Sequence, residues 1–114
     1  MAQQLSAKFV IAMFAGLVAV GMAKAEVDVE AAKALAKAND CLKCHGTDKD
    51  KKGPAMSKIS DKYKGTPDGR AKAIKHMTSG PTVKLSDGLE VRHRIIDTKD
   101  PKELENIAGW FLSH

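Results

Sequence analysis

The sequence predicts a small all-α domain, because apolar residues recur with helical spacing in several segments that open with helix-start signals. The clearest helix follows Asp100-Pro101, where Asp100 can cap the first amide groups and Pro101 suits the first helical position. Its apolar stripe consists of Leu104, Ile107, Ala108, Phe111 and Leu112. Glu103 adds a capping-box arrangement. A chain of 114 residues has room for one such domain.

Two shorter helices are predicted upstream. Asp28 can cap a helix over residues 29–39, which places Ala31, Leu35 and Ala38 on one face. A second helix is expected around residues 57–63, with Ile59 and Tyr63 on the same side.

A third upstream helix is marked by Thr66-Pro67 at its start and by Gly80-Pro81 after its end. We expect its buried residues to be Ala71, Ile74 and Met77. Residues 82–93 (TVKLSDGLEVRH) break the helical pattern and alternate around Asp87-Gly88, which predicts a short hairpin or hairpin-like loop. By this alternation Leu89, Val91, His93 and Ile95 share one face, which we expect to point inward.

An export signal precedes the domain. Lys8 supplies a positive charge, residues 9–22 form an apolar run, and Ala23-Lys24-Ala25 fits the cleavage rule for small residues. The apolar run is short for a bilayer span, which needs roughly 20 residues. We therefore predict a cleaved signal peptide over residues 1–25, a single domain over residues 26–114, periplasmic localisation and no stable membrane insertion.

The two cysteines carry the chemistry. Residues 41–45 (CLKCH) form C-x-x-C-H, the sequence that attaches c-type haem. Two thiols on one turn can reach the vinyl groups on one edge of a porphyrin, and the next imidazole can bind the iron. The sequence predicts one covalent haem c, bound through Cys41 and Cys44, with His45 as an iron ligand. A large cofactor also suits a domain whose aromatic residues are Tyr63, Trp110 and Phe111.

Other roles of a cysteine pair fit less well. A disulfide between Cys41 and Cys44 would close a very small loop and gain little entropy. A thioredoxin-like motif needs a βαβ pattern around it, and a zinc site needs further ligands at recognisable spacing. Neither pattern is found in the sequence.

Beyond this motif, the chain resembles the bacterial class I monohaem cytochromes c, particularly the small c551/c552-like members. The resemblance spans roughly residues 29–113 and includes Gly53-Pro54-Ala55 and the ending Trp110-Phe111-Leu112-Ser113. It implies that the Pro54 carbonyl accepts a hydrogen bond from His45 and fixes the histidine tautomer. It also implies that the first and last helices cross and close one side of the haem crevice, with the hairpin-like loop on the distal side.

The chain departs from the family at the sixth iron ligand, which is usually a methionine in a loop before the final tryptophan. Counting back from Trp110 reaches residues 90–95, which contain His93 and no methionine. We therefore expect a His45/His93 pair. Met77 and a five-coordinate iron remain alternatives. Met56 is expected to pack in the core, and His76 and His114 are expected to face solvent.

Two strong ligands leave iron no open coordination site, which favours electron transfer over enzymatic activity. Histidine in place of a thioether predicts a potential lower than that of methionine-ligated relatives. If His93 binds weakly, the alternative is a sensor or small haem enzyme that binds a gas or peroxide. The chain could also be the cytochrome subunit of a periplasmic oxidoreductase complex.

The charge of the chain indicates its partners only weakly. Cleavage removes Lys8 and Lys24 but no acidic residue, so the formal charge of +5 falls to about +3. Lysines are scattered among acidic residues, which disfavours nucleic-acid binding. We expect redox protein partners and a monomer or weak dimer. Four lysines lie near the motif: Lys43, Lys49, Lys51 and Lys52. They either steer an acidic partner towards the haem or only make the chain more soluble.

Overall fold

A computed structural model describes Gly16 and residues 26–114, which form five helices and one two-stranded sheet. The elements are α1 (Val29–Ala38), α2 (Cys41–Cys44), α3 (Met56–Tyr63), α4 (Gly69–Ser79), β1 (Thr82–Lys84), β2 (Glu90–Arg92) and α5 (Pro101–Phe111). The predicted all-α fold is confirmed, with the small sheet as its only strands in this part of the chain. Apart from Gly16, the predicted signal peptide lies outside the described residues. Across residues 26–114, no helix is long and apolar enough to cross a membrane.

The packing of α1 against α5 forms the core. Leu35 packs against the core as predicted, whereas Ala31 and Ala38 are exposed, and the buried residues of α1 are Ala32 and Ala36. Their small side chains let α5 approach closely. The partners in α5 are large and buried: Leu104, Ile107, Trp110 and Phe111.

Two features fix the register of α1 on α5. The Asn106 side chain accepts a hydrogen bond from the Asp28 amide at 2.8 Å and donates one to the Asp28 carbonyl at 2.9 Å. At Gly109 a Cβ would lie 3.0 Å from Arg70 Nη2 and 3.1 Å from Val27 Cγ2, so a larger residue would force these side chains to shift. The lack of a side chain at Gly109 therefore lets α5 pack closely against its neighbours.

The start of α5 agrees with the sequence except for the capping box. Asp100 accepts a hydrogen bond from the Lys102 amide at 2.9 Å, and Pro101 is the first helical residue. Glu103 does not reach back to the Asp100 amide. Thr98 lies between them, accepting from that amide and donating to the Glu103 carboxylate.

The start of α4 differs from the prediction. Thr66-Pro67 forms a turn in which the Gly69 amide donates to the Thr66 carbonyl at 3.0 Å, and the helix begins at Gly69. Ala73 is the buried alanine, whereas Ala71 is exposed. The helix ends at Gly80, whose φ of 60° is left-handed.

The hairpin lies where it was predicted. Val83 pairs with Val91, and Gly88 occupies the turn with a φ of 88°. The expected inward face is wrong except at half-buried His93, because the other three residues are exposed: Leu89 by 62%, Val91 by 38% and Ile95 by 54%. The alternation ends after His93, where the Ile96 amide donates to the Met77 carbonyl at 2.9 Å and Ile96 is buried instead.

Candidate functional site

A cavity of about 680 Å³ opens beside the C-x-x-C-H segment. This volume lies within the ~300–1,000 Å³ range of protein sites for small organic ligands and cofactors. The walls come from α2, α3, α4, the hairpin and the end of α5. Its apolar lining consists of Ile59, Ala73, Met77, Val83, Leu85, Val91, Ile96 and Phe111. The cavity therefore suits a bulky apolar group.

Helix α2 places both cysteines on this cavity. Cys41 and Cys44 are free thiols at the two ends of the single-turn helix, and both are half-buried. Asp40, with a left-handed φ of 57°, turns the chain between α1 and α2. Burial raises the pKa of the Cys41 thiol, so that thiol stays protonated at neutral pH. Two such thiols on one turn are available for thioether bonds to one planar group.

His45 follows directly and faces the cavity. Its Nδ1 donates a hydrogen bond to the Pro54 carbonyl at 2.7 Å. Because a carbonyl only accepts, the proton lies on Nδ1 and leaves Nε2 unprotonated for a metal. Burial lowers the pKa of His45, the Pro54 hydrogen bond opposes this shift, and nearby His93 adds to it. The ring is therefore neutral at pH 7, which is the state that binds iron.

The loop between His45 and α3 packs tightly against this ring. A Cβ at Gly53 would lie 2.8 Å from His45 Cε1, and the Gly53 amide donates to the Cys44 carbonyl at 2.9 Å. Asp50 accepts from the Ala55 amide at 2.9 Å and pairs with Lys58. These bonds hold the Pro54 carbonyl in place.

His93 lies across the cavity from His45. The ring centroids are 6.1 Å apart and the planes differ by 37°. His93 Nδ1 donates to the Arg94 carbonyl at 2.8 Å, so Nε2 is the ring nitrogen without a hydrogen-bond partner among residues 26–114. Both rings line the same cavity, so a metal ion bound between them could take one imidazole ligand from each.

A third histidine lies on the same side as His93. His76 was expected to face solvent, but it is half-buried, lines the cavity and lies 4.5 Å from the His93 ring. Burial lowers the pKa of His76, and the charges of His93 and Lys62 add to the shift. The spacing of Ala73, His76 and Met77 along α4 could have placed it on this face.

The methionines and the last histidine lie in three different places. Met77 is half-buried and lines the cavity beside His76, so it remains within the site. Met56 is buried in the core. His114 is half-buried and donates from Nδ1 to the Trp110 carbonyl at 2.9 Å.

Positive charges surround the mouth of the cavity. The lining contains six of them: Lys43, Lys52, Lys62, Lys84, Arg92 and Arg94. Asp40 is the lining carboxylate, and it is paired with Lys43 at 3.1 Å and with Arg94 at 2.9 Å. The Lys43 hydrogen bond holds the pKa of Asp40 below its usual value. The excess of cations suits a bound group that carries carboxylates of its own.

These donors fit a haem. Two thiols lie beside an imidazole, a second imidazole faces it, and the walls between them are apolar. Among residues 26–114, no group of three or more His, Cys, Asp or Glu side chains forms a site for a bare metal ion. Haem iron needs only axial ligands from the protein, because the porphyrin supplies the rest.

Comparison with known proteins identifies the family. A sequence profile of the cytochrome c family matches residues 29–114. The fold is similar to the crystal structure of the class 1 cytochrome MtoD from Sideroxydans lithotrophicus ES-1, with a TM-score of 0.74 and 48% identity over 77% of this chain and 97% of that chain. No match is found among curated proteins. The chain therefore belongs to the cytochrome c family, as a class I monohaem cytochrome c.

Proposed function

We propose that this cytochrome transfers electrons in the periplasm through one haem c, held by thioether bonds to Cys41 and Cys44 and by His45 and His93 as iron ligands. The observation that carries the proposal is the pair of facing imidazoles, 6.1 Å apart, each with Nδ1 hydrogen-bonded to a backbone carbonyl. When bound, haem supplies an iron that gains and loses one electron.

On the proximal side, Pro54 and Gly53 orient His45. The hydrogen bond to Pro54 fixes the tautomer, and the close approach of Gly53 fixes the plane of the ring. Both contacts are independent of the redox state, so His45 keeps one geometry while the charge of the site changes. Little reorganisation is then needed for each electron transferred.

On the distal side, His93 occupies the position that an external ligand would need. Its ring is held by the Arg94 carbonyl, and its backbone amide donates to the Pro81 carbonyl at 2.8 Å. A site closed by two imidazoles supports electron transfer and disfavours the binding of a gas or peroxide. Imidazole in place of a thioether also lowers the reduction potential relative to a methionine-ligated cytochrome.

The positive rim gives the haem edge a preferred class of redox partner. Lys52, Lys62 and Lys84 lie at the mouth, where an acidic protein surface would be attracted. Transfer between two such proteins needs no open coordination site. We therefore propose that donor and acceptor are proteins that meet this cationic face.

The experiment uses the full chain expressed in a host that matures c-type cytochromes. We expect a mass equal to residues 26–114 plus one haem, which tests cleavage before Glu26 and covalent attachment together. A Cys41→Ala/Cys44→Ala chain should lose the covalent haem. A colourless protein with the mass of the bare polypeptide would overturn the proposal.

The distal ligand is tested on the same protein. The oxidised spectrum should lack the charge-transfer band of an iron–methionine bond, and the reduced protein should react with carbon monoxide only slowly. Met77→Leu should leave both results unchanged. A methionine band that disappears in Met77→Leu would assign the distal position to Met77, and rapid carbon monoxide binding would indicate an open site.

A further inference from the structure

We propose that His76 is a second distal ligand, which binds the iron when His93 leaves it. The inference rests on the proposed haem site and extends it, because the site then holds three iron-binding imidazoles where two suffice. In the exchange one iron–nitrogen bond breaks and one forms. No electron or proton is gained or lost.

The first observation that supports this proposal is the position of His76. Its ring lies 4.5 Å from the His93 ring, edge to face at 66°, and it lines the same cavity. The space that the His93 ring occupies is therefore next to His76. A change of side-chain rotamer moves a histidine ring by several ångström, so α4 itself need not move.

The ring nitrogens of His76 are available. Within residues 26–114, the histidine hydrogen bonds belong to His45, His93 and His114. His76 therefore has no backbone carbonyl that fixes its ring as Pro54 fixes His45. A half-buried imidazole with free nitrogens beside a metal position is suited to bind that metal.

The two distal histidines are carried by elements of different stability. His93 follows β2, all of whose residues are exposed and which pairs with β1 over three residues. His76 lies in the 11-residue helix α4, which is anchored by buried Ala73. A short exposed hairpin opens locally more often than a packed helix. Opening the hairpin would remove His93 while His76 stays near the iron.

Met77 is the competing residue, and its contacts favour His76. Met77 packs against the buried core, and its carbonyl holds the Ile96 amide. Moving Met77 to the iron would take an apolar side chain from that core. Moving His76 breaks no hydrogen bond to residues 26–114.

As a consequence, the distal coordination position of the iron stays occupied even when His93 has left it. When the hairpin opens, His76 keeps the iron six-coordinate and so keeps gases and peroxide away from it. In the absence of His93, suppose that His76 is bound to the iron ~99% of the time. The apparent affinity for carbon monoxide is then about 100-fold lower than that of an iron without a sixth ligand.

The test compares wild type, His76→Ala, His93→Ala and the double variant, each as the haem-loaded full chain. We expect wild type and His76→Ala to be low-spin, because His93 is bound in both, and to bind carbon monoxide only slowly, with wild type the slower of the two. His93→Ala should remain low-spin, with altered electron paramagnetic resonance g values. The double variant should be high-spin and bind carbon monoxide about 100-fold more tightly than His93→Ala.

Controls separate this inference from the function on which it rests. His93→Ala/His114→Ala should behave as His93→Ala, because His114 faces Trp110 and not the cavity. A high-spin His93→Ala protein that binds carbon monoxide as tightly as the double variant would overturn the inference, and so would a methionine band in His93→Ala. A wild-type protein that is high-spin and binds carbon monoxide rapidly would instead overturn the His45/His93 pair. The same result in His76→Ala, with His93 still present, would also overturn it. If His93→Ala does not mature, His93→Gln takes its place with the same outcomes.

Discussion

The two sides of the proposed haem cavity are held in different ways. The proposed proximal ligand, His45, is fixed by residues of its own loop: its Nδ1 donates to the Pro54 carbonyl, and the Gly53 amide returns to Cys44. The ring of the proposed distal ligand, His93, is held by the adjacent Arg94 carbonyl, but the segment that carries it is fixed by residues far away in the sequence. This segment is bound to Asn39 and Asp40 at the end of α1, and to Met77 on α4.

The difference determines which side can move. A loop that closes on itself within ten residues keeps its geometry as long as α2 and α3 are in place. A segment held by separate long-range contacts loses its geometry when any of them is broken. We therefore expect changes on the proximal side to affect stability and ligation together, and changes on the distal side to loosen ligation first.

The largest effect is expected for Gly53→Ala. The added methyl group would lie 2.8 Å from His45 Cε1, and overpacking of this kind costs about 1–3 kcal/mol. Denaturant unfolding should show the loss, and the spectrum should show a disturbed proximal ligand. Gly109→Ala is the matched control: it crowds Val27 and Arg70, so it should lower stability and leave the spectrum unchanged. Equal spectral changes in both variants would contradict the local nature of the proximal site.

An intermediate effect is expected for Asn39→Ala. Asn39 is 3% exposed, accepts from the Asp97 amide at 2.7 Å and donates to the Leu35 carbonyl at 2.9 Å. Losing the hydrogen bond to the Asp97 amide costs about 0.5–1.5 kcal/mol. Carbon monoxide binding to the reduced protein should become faster, because the segment after His93 loses a tether.

The control for that change is Asn106→Ala. It removes an asparagine with two similar hydrogen bonds, but at the exposed contact between α1 and α5. We expect a smaller loss of stability and no faster binding of carbon monoxide. If both variants bind it at the wild-type rate, Asn39 does not hold the distal segment.

The smallest effect is expected for the pH dependence of stability, through Asp50 in the loop between His45 and α3. The hydrogen bond from Lys58 holds the pKa of Asp50 below its ordinary value of 3.8. A depressed pKa stabilises the folded state above the ordinary value, and this contribution is lost as pH falls through the lower, folded-state pKa. The wild-type advantage over Asp50→Asn should therefore be present at neutral pH and shrink below about pH 4. Thermal unfolding midpoints across that range measure it.

The neighbouring Asp48→Asn removes the same charge from the same loop. It leaves Asp50 with both of its partners, Ala55 and Lys58, so this variant should keep the loss of stability that wild type shows as the pH falls below about 4. If the unfolding midpoints of Asp50→Asn and wild type differ by the same amount at every pH, the ion pair makes no contribution to the pH dependence of stability.

Patterns that depend on neighbouring residues were predicted well. The cap at Asp100 and the hairpin turn at Gly88 act within a few positions, so the sequence contains the whole signal. The buried alanines of α1 were predicted wrongly, because α5 decides which alanines it covers. The inward face expected at Ile95 failed for the same kind of reason, since α4 draws Ile96 inward.

By itself, the sequence determined the cofactor chemistry, since two thiols and a histidine at fixed spacing specify the attachment of haem on one turn. It also determined the helical class of the fold. Only the tertiary structure decided that His76 of α4 joins His93 at the cavity. That contact links two separate elements, and its geometry depends on how α4 and the segment after the hairpin pack together.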